Sequence, residues 1–466
     1  MRRCLILAIM VLLGLSSFGQ NPQKFWVGFM DKDNTPFTIT DPIQFLSQRS
    51  IDRRTNQGIS LDQKDLPVDP NYVFQVASAG AAILNKSKWF NGVSIELQDS
   101  VDIDVINALP FVQSWSPVSR LSGRNPIPNK FGQAIPNTKS SGGAPPIDHG
   151  TGYNQIDMLN GVPLHEQGFL GNGMTIAVLD AGFSNVPLLA VFDSLFNDGR
   201  ILATKDFVDG DNDVYGHSTH GAYVLSTMAS YWPGEFIGTA PKANYILLRS
   251  EEGGSELIIE EDNWVAAAEF ADSMGADIIN SSLGYTTYDD PSMDHTYFDM
   301  DGNTTRITQG ADLAASRGIL VVNSAGNSGQ SAWNFIGAPA DGDSVFAIGA
   351  VNPDGIYAEF SSKGPSADGR IKPNIVAQGA ATVIADLNPD AEEPTHTGNG
   401  TSFSGPVIAG MMACFWQAFP ELTNIECMNI VEQSASQYSN PDEFIGHGIP
   451  DFSLAFLITS ELVPES

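Results

Sequence analysis

Four short stretches of this 466-residue sequence combine a reactive side chain with small neighbours that let a substrate or a second chain segment come close. Gly400-Thr401-Ser402-Phe403-Ser404-Gly405-Pro406 offers a serine hydroxyl just ahead of an apolar run, 407–418, that reads as a helix. A bare hydroxyl is a weak nucleophile at neutral pH and needs a base. Free N–H groups at a helix start would also steady a developing oxyanion. Gly216-His217-Ser218-Thr219-His220-Gly221 supplies two of the seven histidines, three residues apart at the start of a helix-like stretch. Such a pair suits a general base, an i, i+3 metal pair or a structural histidine. Ile176-Ala177-Val178-Leu179-Asp180-Ala181-Gly182 carries a carboxylate at the tip of an apolar strand, and Asn323-Ser324-Ala325-Gly326-Asn327-Ser328-Gly329 carries a carboxamide in the same setting. Alone, the first is a capping residue and the second a turn. Together they supply a base-orienting carboxylate and an oxyanion donor.

Strands must deliver these groups. The segments 174–179, 243–248, 276–280, 319–323 and 344–351 are short continuous apolar runs, with a helical stretch at 257–274 between the second and third. Unbroken apolar strands separated by helices predict a mostly parallel sheet covered on both faces, a three-layer α/β domain. In such sheets functional groups collect beyond the carboxyl ends of the strands. Upstream, residues 20–115 predict a small α+β unit with strands at 24–30 and 93–97 and a helix at 43–53. Residues 116–150 are rich in Pro and Gly and read as a linker and processing region.

The order Asp180, His217, Asn327, Ser402, with the words around them, resembles the subtilisin family of serine peptidases over residues 151–458. The stretches Phe360–Pro365 and Asp368–Pro373 add to the likeness. The family pattern His-x-Thr-His has its first histidine catalytic, which assigns the base to His217. Asp180 would orient it, Ser402 would be the nucleophile and Asn327 the oxyanion donor. Departures cluster around the histidines: Ser218 stands where Gly is usual, Gly221 where Val is usual and Tyr223 where Gly is usual. By the same likeness Ser282, Leu283 and Gly284 pair with an extended substrate, and Ala325, Gly326 and Gly337 line the pocket for the residue before the scissile bond. None of these is acidic, so an apolar or mixed preference is expected there. Residues 20–115 resemble the family's propeptides, which help folding and inhibit temporarily, so the expected partners are protein substrates and the chain's own propeptide. Calcium is common in the family. Asp299-Met300-Asp301-Gly302-Asn303 has its glycine misplaced for an EF-hand loop, so no metal site or cofactor is assigned. A binding module on the same fold and a metal hydrolase using His217 and His220 are the rival readings.

Composition narrows the rest. A formal charge of −31 argues against nucleic-acid binding, which needs dense Lys and Arg. Arg2 and Arg3, an apolar run at 5–15, and small Ser17 and Gly19 read as a secretory signal over residues 1–19, so the protein is expected to be exported. No other run is long enough to span a bilayer. Export would permit a disulfide between Cys414 and Cys427, and two buried free thiols are the alternative.

Overall fold

Strands whose residues are apolar on both faces have to be covered on both faces, and the computed structural model shows how. It describes residues 23–97, 101–119, 130–131 and 147–462. The leader expected over residues 1–19, and most of the expected linker, lie outside these.

The N-terminal unit is built on an antiparallel sheet whose core packs against the helix Pro70–Ser78. In chain order it comprises β1 (Lys24–Phe29), α1 (Gln48–Asn56), α2 (Pro70–Ser78), β2 (Ala81–Ser87), β3 (Gly92–Leu97) and β4 (Val112–Ser119), with spatial order β2-β3-β1-β4. The helix expected at 43–53 begins later. Pro42–Gln44 forms a separate 3-10 turn, and Ser47 Oγ then caps α1 by accepting from Ser50 N at 3.2 Å. β4 continues past residue 115 to Ser119 as the edge strand beside β1.

The larger unit carries seven parallel strands: β5 (Thr175–Asp180), β6 (Ile201–Asp206), β7 (Asn244–Arg249), β8 (Ile278–Ser281), β9 (Leu320–Ser324), β10 (Val345–Val351) and β11 (Ile375–Gln378). Their order is β11-β10-β9-β8-β5-β7-β6. Helices α3 (His220–Ala229), α4 (Ile259–Met274), α5 (Arg306–Ser316) and α6 (Thr401–Ala418) cover it. Along β5, Ile176 and Val178 pack with Ala222, Leu225, Val407 and Met411 of α3 and α6. Ala177 and Leu179 face the other way, onto Trp264, Ala268 and Ala311 of α4 and α5. Alternation along one strand thus builds both outer layers. The expected three-layer α/β architecture is present. Because all seven strands run the same way, their carboxyl ends share one edge.

The small unit docks on α4 of the large one. Asp272 of α4 is fully buried against Arg53, Arg54 and Lys88, with nitrogen–oxygen separations of 2.6, 2.8 and 2.8 Å. Glu269, one turn earlier, accepts from Ser87 Oγ and from the backbone N–H groups of Lys88 (2.8 Å) and Trp89 (3.0 Å). Trp89 itself is buried in the layer formed by α4 and α5.

Candidate active site

Asp180 ends β5 and is fully buried. Its Oδ1 accepts from Ala181 N at 2.7 Å and lies 2.8 Å from the Nδ1 of His220. The histidine that meets Asp180 is therefore the second of the pair, and the assignment of His217 is corrected. His217 lies elsewhere: its Nε2 is 3.7 Å from Asp206 and 3.8 Å from Asp209, and its side chain is about one-third exposed. Both carboxylates also contact Arg249, at 2.7 and 2.6 Å, so the aspartates upstream of His217 serve an ion-pair cluster.

Local structure explains the choice. His220 is the first residue of α3, and a helix start can press against the turn after β5 only if the next residue is small. A Cβ on Gly221 would stand 2.5 Å from the Gly182 carbonyl oxygen and 2.9 Å from Asp180 Cβ. Glycine at 221 is what lets the imidazole reach the carboxylate. Phe403 flanks the ring on one side, with centroids 6.4 Å apart.

Ser402 sits in the first turn of α6, a helix that begins six residues earlier than the apolar run 407–418 suggested. Gly400, at φ +153°, makes the sharp entry. Pro406 is the sixth helical residue, inside the helix rather than in its first turn. Having no N–H, it leaves the Ser402 carbonyl without an intrahelical donor. Ser282 Oγ donates to that carbonyl at 3.0 Å, which ties the Ser402 backbone to the segment after β8.

Asn327 follows β9. Its Oδ1 accepts from Thr401 N at 2.8 Å and Thr401 Oγ1 at 3.0 Å, which fixes the orientation of the amide and leaves Nδ2 to donate. Sequence reading missed Thr401 as the group that aims this amide. His220, Ser402 and Asn327 line one cleft of about 520 Å³ together with Ser282, Leu283, Gly284, Gly326 and Gly337. Ala325 does not reach it; the residue is fully buried behind the cleft against Ile336, Ala340 and Ala347. Asp301, in the stretch weighed for calcium, accepts from Asn303 N and Thr304 N at 2.8 Å each and closes a turn ahead of α5. Cys414 and Cys427 are buried free thiols.

The cleft is not empty of peptide. Lys130 and Phe131, both described, line it, and the Phe131 ring stacks on His220 with centroids 4.0 Å apart and planes at 21°.

A family model described as the subtilase family matches residues 171–448, more than half of the chain. The chain belongs to the subtilase family. A second model, described as a peptidase S8 propeptide domain of Bacteroidota, matches residues 24–131 and so ends on the residue that rests against His220. The chain is similar to serine protease AprX of Bacillus subtilis, at 29% identity over 302 residues, covering 59% of this chain and 64% of that protein. It is 28% identical over 302 residues to a thermostable alkaline protease of Halalkalibacterium halodurans, covering 63% of this chain and 70% of that one. With subtilisin E of Bacillus subtilis the identity is 29% over 290 residues, covering 61% and 66%. Thus the match takes in less than two thirds of AprX and of subtilisin E. The crystal structure of fervidolysin from Fervidobacterium pennivorans, a keratinolytic enzyme related to subtilisin, superposes with a TM-score of 0.61 at 19% identity, covering 94% of this chain and 61% of that one. It shares the fold.

Membership in the subtilases also explains the departures around His217. Moved three residues on, the family's His-Gly and the Val four positions after the histidine fall on His220, Gly221 and Val224. That shift was the available signal.

Among subtilase-type sites, an amide fixed on one side and free on the other acts on an oxyanion only in the transition state. Asn327→Leu is expected to lower kcat by about 10²–10³ with KM little changed, measured by steady-state hydrolysis of a fluorogenic peptide.

Proposed function

We propose that this subtilase is a serine endopeptidase made with its own inhibitor attached. The observation that carries the reading is the meeting of Asp180 with His220 Nδ1 at 2.8 Å, in a cleft that also holds Ser402 and Asn327. In that arrangement a proton on Nδ1 faces Asp180, which leaves Nε2 as the basic nitrogen. His220 would take the Ser402 proton as the hydroxyl attacks a substrate carbonyl, then deliver it to the leaving amine. Asp180 would stabilise the imidazolium and hold its tautomer. Asn327 Nδ2 and backbone N–H groups at the start of α6 would hold the oxyanion. Water then hydrolyses the acyl-enzyme with the same base. The segment after β8, fixed to Ser402 through Ser282, would pair with an extended substrate backbone, a mode tolerant of sequence.

The N-terminal unit supports latency. It is matched as a propeptide, it buries charged contacts on α4, and its continuation places Phe131 on the catalytic imidazole. Arg2, Arg3 and the apolar run after them support export before activation. Among the described residues no helix is long and apolar enough to cross a membrane.

Intact-mass spectrometry of wild type and Ser402→Ala, each incubated with casein and a fluorophosphonate, tests the proposal. Wild type is expected to lose an N-terminal segment, degrade casein and take one adduct, and the variant to do none of these. Casein turnover by pure Ser402→Ala would refute the assignment of the nucleophile.

A further inference from the structure

We propose that Glu251, Glu256 and Glu260 form a substrate subsite for a lysine or arginine side chain, one residue N-terminal to the side chain that rests on His220. The inference deepens the peptidase reading and rests on it. All three carboxylates come from the connection between β7 and the start of α4, and their oxygens lie within 4.8 Å of one another. Glu251 and Glu256 line the same cleft as Ser282, Leu283, Gly284 and Tyr285.

The occupant is already in place. Lys130 Nζ lies 3.1 Å from Glu256 Oε2, 3.4 Å from Glu260 Oε2 and 3.0 Å from the Ser255 carbonyl oxygen, and it also pairs with Glu251. Its side chain is only 12% exposed. Lys130 and Phe131 are consecutive, so one short piece of peptide delivers a cation to the acidic cup and a ring to the catalytic imidazole. Among the described residues no other cation pairs with these three carboxylates.

Two of the three carboxylates are also held by groups other than Lys130. Glu260 Oε1 accepts from Glu252 N at 2.8 Å and Oε2 from Leu257 N at 3.0 Å. Glu251 Oε2 takes the Tyr285 hydroxyl. Glu251 and Glu260, held this way, stay in the cup when the cation leaves, and without a cation the cup must take up protons. Burial opposes the charge on Lys130, but Glu251, Glu260 and Glu256 outweigh it and hold its proton well above the usual lysine range. Burial, with the neighbouring Glu251 adding to it, pushes Glu256 up to about 7 and Glu260 well above the usual carboxylate range. The Lys130 ammonium opposes that rise and is what favours the ionised form of Glu256 and Glu260, so the cup disfavours an anionic guest. Once residue 130 departs after processing, a basic side chain of the substrate restores the missing charge. A lysyl side chain already inserted from a peptide lying in the cleft favours this guest over a metal ion.

The test compares three quenched-fluorescent peptides carrying residues 127–134: the native sequence, one with norleucine for Lys130 and one with glutamate there. Fully processed wild-type enzyme is expected to cleave the lysyl peptide with kcat/KM about 10²-fold above the norleucine peptide, because the analogue leaves buried carboxylates unpaired. The glutamate peptide should be poorer still. Glu256→Gln, at the half-buried member of the cup, should narrow the lysine-to-norleucine ratio to below about tenfold. Equal cleavage of the lysyl and norleucine peptides by enzyme that labels with fluorophosphonate would overturn the subsite and leave the peptidase reading standing. Absence of both cleavage and label would sink the peptidase reading and the subsite with it. Loss of the lysine preference in millimolar calcium, with calcium bound by Glu251, Glu256 and Glu260, would make the cup a metal site and also overturn the proposal.

Discussion

Removing the imidazole of His220 is expected to lower kcat by about 10⁶-fold, whereas removing that of His217 should change it by no more than about twofold. The large loss follows from contact. His220 Nδ1 is 2.8 Å from Asp180, and a triad missing its base retains only oxyanion and binding effects. The small one follows from position. His217 lies beside Asp206 and Asp209, and Arg249 already pairs with both. Deleting the imidazole therefore leaves no buried charge uncompensated. His217 adopts φ +65°, so asparagine, which tolerates that region, is the better replacement there than alanine. Burst kinetics with a p-nitrophenyl ester and turnover of a fluorogenic peptide by His220→Ala and His217→Asn would decide the matter. A dead His217→Asn and an active His220→Ala would restore the first histidine as the base.

This contrast shows where the sequence was legible and where it was not. The apolar runs ending in Asp180 and Ser324, and the small residues around Ser402, announce strands and a helix start by type alone, and the sheet is built from them. Two strands gave weaker signals. β6, Ile201–Asp206, is the half-exposed edge of the sheet, and β11, Ile375–Gln378, has only four residues. Neither offers a long apolar run. The choice between His217 and His220 depends on which one begins α3, and the two lie three residues apart, about one helical turn. The packing of Gly221 against Gly182 and Asp180 fixes it, and the His220, Gly221, Val224 spacing is its one trace in the sequence. The expectation of an apolar or mixed preference came from six residues assigned to substrate contact, three for backbone pairing and three for the pocket, and all but Ala325 line the cleft. No motif in the sequence marks Glu251, Glu256 and Glu260 as a pocket. They become a cup only because the fold brings Lys130, 121 residues before Glu251, to the same place. Long-range pairing of that kind leaves no local trace in the chain.

The docking of the N-terminal unit concentrates on one carboxylate, and its loss should cost roughly 3–5 kcal/mol. Asp272 is fully buried among Arg53, Arg54 and Lys88, whose side chains are almost as well hidden. Burial opposes its ionisation, yet Lys88, Arg54 and Arg53 outweigh that and hold it far below the usual carboxylate range. Asp272→Asn would strand three cations around a neutral amide, with Asp65 left to satisfy only Arg54, at 2.8 Å. In a Ser402→Ala background, where nothing can be cut, denaturant unfolding of the full chain should show the loss, and a cost below about 1 kcal/mol would mean that other contacts hold the interface. The same geometry sets the pH response. A depressed carboxylate contributes stability that is present above its unfolded value and lost only as pH falls through the depressed one, so Asp272 keeps the units together in mild acid. Glu269 and Asp262 act in the opposite sense. Burial raises both, and they meet the small unit through Ser87, Lys88, Trp89 and Ser94, so protonation on docking makes acid favour the complex. Taking the Ser402→Ala chain from pH 7 to about 4.5 should therefore leave docking intact or tighter, as hydrogen exchange at α1 and β2 would report. Release on acidification would show that the buried Asp272 cluster does not govern the contact, and activation would then depend on pH instead of on cutting.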